Sequence, residues 1–318
     1  MKRILITLLI IGVATASFAA GQTESSLPDT VHVSYVRSPF NLPAILMKER
    51  GTLEEAFAEA GVELKYHEIT SGAKQAQAMA AGSLDIGGVM NTTSVILAKS
   101  NGNDVRIVSG FSRPANMFSI VVKDPEIETI EDLEGKKVAG PKGTVLHQLL
   151  SAALVSKGME MGDVEFLHMG LPQSSTALMA GHIDAALLAG SLVIKAQNSG
   201  ARVLTSAEGL VSPKLVIAAR GEFVETYPPL VDIYTQVHTE AVAWMEANLE
   251  RALKIGAEEQ GISLADARQL YEWTEFTSSI IPRDLETMEE DITFMLNNKL
   301  IENTVEPDKI IVENAMNL

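Results

Sequence analysis

Met79-Ala80-Ala81-Gly82-Ser83-Leu84-Asp85 and Leu178-Met179-Ala180-Gly181-His182-Ile183-Asp184 are one phrase written twice, and the repeat decides the fold. In each copy a helix stops at glycine and an aspartate enters the short apolar strand that follows. Outward from the first copy, residues 31–36 alternate and are β-branched, which predicts a half-buried strand. Apolar residues at helical spacing from Leu42 to Phe57 predict one helix with Gly61 as its stop. A strand over 62–69, a helix over 72–81 and a buried strand over 84–89 complete a βαβαβ run. Around the second copy the same order returns, with a strand opening at 137–140, a helix from about 144 to 157 and a strand over 164–169. Asp85 and Asp184 are expected to hold backbone near the helix stop, not to meet a ligand.

Two units of this kind predict an α/β protein of two βαβ lobes with mostly parallel sheets. The apolar runs 118–122 and 214–219 flank the second unit and suggest a two-strand hinge. The expected division is then residues 29–123 plus 211–318 for a discontinuous first lobe and 124–210 for the second. Helices over 228–248, 256–261, 264–273 and 285–298 should pack on the first lobe. A chain of 318 residues is long enough for each lobe to bury its own core.

The N-terminus bears on compartment. Lys2 and Arg3 precede an apolar run over 4–16 and the small-residue stretch 17–20, the layout of a secretory signal peptide cleaved after Ala19. That run is shorter than the roughly 20 residues a spanning helix needs. The chain has 0 cysteines, so a lipid-bearing cysteine after the signal, disulfides and thiolate metal sites are excluded. An unanchored exported protein is retained in a periplasm, the expected location. Formal charge is −16, and −18 once Lys2 and Arg3 are removed, which repels nucleic acid and anionic membrane surfaces. A small anion held by a few local donors remains compatible with it.

In open sheets of this kind, ligands bind beyond the carboxyl ends of the parallel strands, where helix N-termini present unpaired N–H groups. Seven loops fall there, and they supply the candidate ligand-binding residues Ser38, Phe40, Asn41, Ser71, Asn91, Thr92, Phe111, Arg113, Lys142, Gly143, Thr144, Gly170, Gly190 and Ser191. Asn91 and Thr92 could cap a helix or donate to a ligand. Arg113 could grip a carboxylate or sulfonate bidentately or sit in a surface ion pair. Phe40 and Phe111 could wall the ligand or fill the core. Gly143-Thr144 opens a helix after a strand and is an anion-friendly terminus.

The stretches Gly51-Thr52-Leu53-Glu54, Thr70-Ser71-Gly72, Gly82 to Gly88 and Gly135-Lys136-Lys137-Val138-Ala139 with Lys142-Gly143 resemble the sulfonate, nitrate and taurine group of ABC-transporter solute-binding proteins. The group also holds relatives for thiamine-precursor pyrimidines. The resemblance runs over roughly residues 31 to 220 and fades in the C-terminal helices. It implies a type II periplasmic binding protein fold, hinge closure around one small-molecule ligand, and delivery by a monomer to a permease driven by an ATPase. One departure stands out. The loop that often carries an aromatic and an acidic residue in this group reads Ala189-Gly190-Ser191-Leu192 here, which leaves a contact to a charged amine unsupported.

The rival from another class is an enzyme on the same fold, similar to thiamine-pyrimidine synthases, and a receptor-docking sensor is a third reading. The 6 histidines are scattered without metal-ligand spacing, and no nucleophile elbow or phosphate loop is present. His147, near the start of its helix, could face the cleft, but a partly buried or solvated histidine is the better reading. No cofactor, no metal and no catalytic residue are expected.

Overall fold

The computed structural model describes residues 27–114 and 116–316; the expected signal peptide, 1–19, lies outside them. The first copy of the repeat folds as β1 (Thr30–Tyr35), α1 (Leu42–Glu49), α2 (Thr52–Glu59), β2 (Glu63–Glu68), α3 (Gly72–Ala80), β3 (Ile86–Asn91), α4 (Thr92–Ser100) and β4 (Val105–Pro114). The second folds as β5 (Phe118–Val122), β6 (Lys137–Gly140), α5 (Val145–Val155), β7 (Glu165–His168), α6 (Leu171–Met179), β8 (Ala185–Ala189), α7 (Ser191–Asn198) and β9 (Arg202–Ser206). The chain then returns through β10 (Leu215–Arg220), α8 (Gly221–Thr226), α9 (Pro228–Ala247), α10 (Leu249–Gln260), α11 (Leu264–Glu272), β11 (Thr274–Phe276) and α12 (Pro282–Asn297).

Two sheets result, with strand orders β11-β4-β10-β3-β1-β2 and β7-β6-β8-β5-β9. They are mixed, where mostly parallel sheets are expected from the βαβ pattern. Strands joined through a helix lie parallel, as β1 does to β2 and β3, and β6 to β7 and β8. The strands that carry the chain across between the sheets arrive reversed, so β10 runs antiparallel to β3 and β4, and β5 antiparallel to β8 and β9. Residues 118–122, expected at the edge of the first lobe, pair wholly within the second sheet. The change of sheet therefore falls between Pro114 and Phe118 on the way out and between Ser206 and Leu215 on the way back.

Three local differences have clear causes. The helix expected from Leu42 to Phe57 is split, because Gly51 takes a φ of 67°, a left-handed conformation that ends α1. The short piece expected at 256–261 is instead a 12-residue helix that runs through Gly256. A Cβ there would stand 2.7 Å from Leu42 and 3.0 Å from Phe40, so this glycine lets α10 lie close on α1 and does not break it. The loop expected at 111–113 is the end of β4, which is buried on β10 and extended by β11.

Each sheet buries its apolar residues under helices. Leu42, Ile45 and Leu46 of α1 and Leu53 and Phe57 of α2 are at most 1% exposed. α1 packs on α9 and α10, and α2 on β2 and α9. Burial at this level stabilises by roughly 1.5–3 kcal/mol per large side chain. The first lobe thus has α9 to α12 as an added outer layer, built from the C-terminal third of the chain.

Candidate functional site: a cavity between the two lobes

The carboxyl ends of β1, β2 and β3 face the carboxyl ends of β6 and β7 across the gap between the sheets. A cavity of about 80 Å³ lies between them, lined from both lobes. One water needs roughly 10–15 Å³, so the space suits a small molecule. A larger concavity of about 700 Å³ lies elsewhere, along α8 and α9 with Val312 and Asn314. No helix N-terminus of a βαβ unit opens into that second space, and the chemistry of the fold points to the smaller one.

Five helices begin at the cavity. Their N-cap residues Asn41 (α1), Ser71 (α3), Asn91 (α4), Thr144 (α5) and Gly170 (α6) all line it. Asn91 caps in the ordinary way, its side-chain oxygen accepting from the Ser94 N–H at 2.9 Å. The other four helices have no side-chain cap. Ser71 and Thr144 are residue types that commonly cap, yet the Thr144 hydroxyl donates to the Pro141 carbonyl at 2.8 Å. Asn41 donates to the carbonyls of Val36 and Ser38 at 2.8 and 2.9 Å, which pins the loop after β1. Gly72 is required for the convergence of α3 and α4, since a Cβ on it would stand 2.8 Å from Ser94 Oγ.

Ser38 and Thr70 add hydroxyl groups, and most of the remaining wall is apolar, with Val36, Pro39, Val89, Phe118, Val145, Leu146, Leu171 and Leu215. No Asp, Glu, Lys, Arg or His is among the described residues that line it. Each N-terminus carries about half a positive charge and favours an anion by roughly 0.3–2 kcal/mol. Five of them around a cavity with no charged side chain among its described lining residues form an arrangement that can hold an anion without a cation.

Ser38, Asn41, Ser71, Asn91, Thr144 and Gly170 are thus brought together, and the other eight candidates are placed elsewhere. Phe40 is buried against Gly256. Phe111 stacks on His238 with ring centroids 5.2 Å apart and is fully buried in the core. The fully buried His238 has no hydrogen-bond partner on either ring nitrogen, and burial pushes its pKa down to about 3. Arg113 grips a carboxylate bidentately, but that carboxylate is Asp284, with Nε to Oδ1 at 2.8 Å, and a further nitrogen reaches Glu275 at 2.9 Å. Burial works against the charge of Asp284, yet Arg113 and the Ile281 N–H hold its carboxyl below the usual range.

Thr92 is buried, with its N–H donating to the Lys214 carbonyl at 3.0 Å. Lys142 is exposed, its backbone N–H donating to His168 Nδ1 at 3.0 Å. Gly143, Gly190 and Ser191 are contacts between lobes. The Gly143 carbonyl accepts from Ser94 Oγ at 2.7 Å. A Cβ on Gly190 would stand 2.5 Å from Pro39, and Ser191 Oγ donates to Gln260 at 3.3 Å. The aromatic wall that sequence reasoning missed is Phe118. Its signal is its position, since it is the first residue of the strand entering the second sheet and so stands at the cleft edge.

His147 packs on Phe166 at 4.9 Å, and burial, with Lys142 and His168 nearby, pushes its pKa down to about 4. Its helix neighbours Val145 and Leu146 reach the cavity, and His147 is not among the lining residues. Among the described residues no group of three or more histidines and carboxylates is placed to hold a metal, and no helix is long and apolar enough to cross a membrane.

Residues 55–252, which take in the cleft loops of both lobes apart from that at 38–41, match the family described as NMT1/THI5 like. The chain belongs to the NMT1/THI5-like family. This family member is 27% identical over 279 residues to a Bacillus subtilis (strain 168) protein provisionally named an aliphatic sulfonates-binding protein, covering 86% of this chain and 83% of that one. It is 30% identical over 200 residues to the taurine-binding periplasmic protein of Escherichia coli (strain K12), covering 62% of each. In fold it is similar to the alkanesulfonate-binding protein SsuA from Xanthomonas axonopodis pv. citri bound to MOPS, with a TM-score of 0.79, 20% identity, and coverage of 91% of this chain and 99% of that one. The names of these relatives describe binding proteins, not enzymes.

Proposed function

We propose that this protein is the solute-binding component of an ABC importer and captures a small aliphatic sulfonate, or an anion of the same shape, in the cavity between its lobes. The observation that carries the reading is the set of five helix N-termini, four without a side-chain cap, around a cavity with no charged side chain among its described lining residues. The sulfonate oxygens take the N–H groups, and the aliphatic tail lies against Phe118, Leu146, Leu171 and Leu215. Because no carboxylate is among the described residues that line the cavity, an ammonium at the far end of the ligand is left without a partner. An unsubstituted alkanesulfonate is therefore preferred over taurine.

In the same reading, residues 1–19 direct export and are removed, and the loaded monomer docks on a permease and its ATPase. The lobes, one made of residues up to about 116 with those from about 211 and the other of the residues between, swing about the two passages where the chain changes sheet.

Isothermal titration of ethanesulfonate, taurine and the uncharged isostere ethyl methyl sulfone tests the reading. Ethanesulfonate is expected to bind with micromolar affinity, about −8 kcal/mol, with taurine at least tenfold weaker and the sulfone not detected. Equal binding of the sulfone removes the role given to the helix termini. No binding by any small anion removes the capture reading.

A further inference from the structure

Gln148, one turn into α5 of the second lobe, has both ends of its amide taken by the first lobe. Its Oε1 accepts from Thr93 Oγ1 of α4 at 2.6 Å, and its Nε2 donates to Asp291 Oδ1 of α12 at 2.6 Å. Asp291 Oδ2 lies 3.6 Å from Nζ of Lys214, on the returning passage between sheets. Lys214 in turn accepts the Thr92 N–H on its carbonyl at 3.0 Å. All four side chains are buried, at 3% for Thr93, 2% for Gln148, 6% for Lys214 and 8% for Asp291. The chain of contacts runs from the hinge passage, through the C-terminal helix, to the first turns of two helices whose N-caps, Asn91 and Thr144, line the cavity.

We propose that Gln148 is a positioning residue that fixes the distance between α4 and α5 when the lobes close on a ligand. The proposal rests on the capture reading for the identity of the ligand, but the latch itself is a property of the lobes. Its physics is one of exclusion. When the lobes meet at this seam, Asp291 and Thr93 lose access to water, so closure is tolerated only if the incoming residue donates to Asp291 and accepts from Thr93 at once. A glutamine amide does both, and neither leucine nor glutamate does. Burial presses on the ionic pair from both sides, holding the Asp291 carboxyl up and the Lys214 ammonium down, so the seam has little tolerance for a lost partner. The Ser94 Oγ to Gly143 carbonyl bond, 2.7 Å, crosses the same seam and sets its register.

The test measures affinity, rates and lobe separation together. The chain has 0 cysteines, so Glu59→Cys and Lys157→Cys, both on exposed positions, carry spin labels on opposite lobes without background. Gln148→Leu is expected to weaken ethanesulfonate binding about tenfold, through faster dissociation, and to shift the ligand-free distance distribution to longer values. Gln148→Glu is expected to weaken it further. Thr93→Val with Gln148→Leu is expected to cost less than the two single losses combined, the sign of a shared contact. Wild-type affinity and distances in Gln148→Leu overturn the proposal, as do fully additive effects. Where Gln148→Leu lowers the melting temperature of the ligand-free protein, Gln148→Asn, which keeps an amide too short to span the seam, gives the deciding values. If the wild type binds none of the test anions, the capture reading falls, and the distance distributions of wild type and variant alone decide the latch.

Discussion

The two lobes place the same aspartate at the same point, with different surroundings. Asp85 accepts the backbone N–H of His32 at 3.0 Å, and Asp184 accepts that of Lys137 at 2.7 Å, so each fastens the strand after its helix to the first parallel strand of its sheet. Asp85 is also paired with Arg220 at 2.9 Å and is buried, whereas Asp184 is on the surface side. Lobe 1 has further buried polar groups of this kind: Ser34 donates to Gln75 at 2.8 Å, and Gln75 donates to the Val89 carbonyl at 2.9 Å. The cavity shows the same division. Its first-lobe wall carries Ser38, Asn41, Thr70, Ser71 and Asn91, and its second-lobe wall is mainly Pro141, Val145, Leu146 and Leu171. A repeat therefore conserves the fastening of the backbone, while the lobe with the added C-terminal helices buries more of its polar groups. This teaches that the scaffold and the chemistry of the two halves are separable.

Acid is the strongest way to probe that difference. The folded pKa values of His238, about 3, and His147, about 4, lie below the ordinary value near 6.5 because of burial. For each, the unfolded state binds the proton that the folded state refuses, so stability is full above about pH 6.5 and falls as pH drops toward the folded value, by about 1.4 kcal/mol per pH unit per histidine. His238→Phe should flatten the urea-midpoint profile down to about pH 3, and His147→Phe only down to about pH 4. Identical profiles for the two variants would break the distinction between the lobes.

Next in size is Asp85→Ala, which strips a partner from a partly buried arginine and should cost about 3 kcal/mol. Asp184→Ala should cost about 1 kcal/mol or less, with both read by urea denaturation. Gly72→Val should weaken anion binding about a hundredfold, or about 2.7 kcal/mol, by forcing α3 away from Ser94; a wild-type Kd would show that the convergence of these helices is dispensable. The smallest effect sharpens the site itself. Arg113→Ala should lower the melting temperature, as it unpairs the buried Asp284, and leave ethanesulfonate affinity within about twofold.

Legibility followed the range of the forces involved. Asn91, Ser71, Thr144 and Gly170 could be found because a capping residue or glycine before a helix is a local signal, and the fold rule places that end of the strand at a cleft. Arg113 and Phe111 could not be placed. Their partners, Asp284 and His238, lie more than a hundred positions away, and the strand that carries both residues reads as a loop until β10 and β11 pair with it. Gly256 misled for the same reason, since its role is a contact with Phe40 and Leu42 across the first lobe.

By itself the amino-acid sequence determined the repeated βαβ unit, the absence of thiol chemistry, the acidic surface and the loops that would stand at the strand ends, because each is written in periodicity, composition or a turn residue. Only the tertiary structure decided which of those loops share one cavity, that the crossing strands make both sheets mixed, and that Gln148 joins the lobes at a buried carboxylate. Those facts depend on partners distant in the chain, and burial alone gives such contacts their strength.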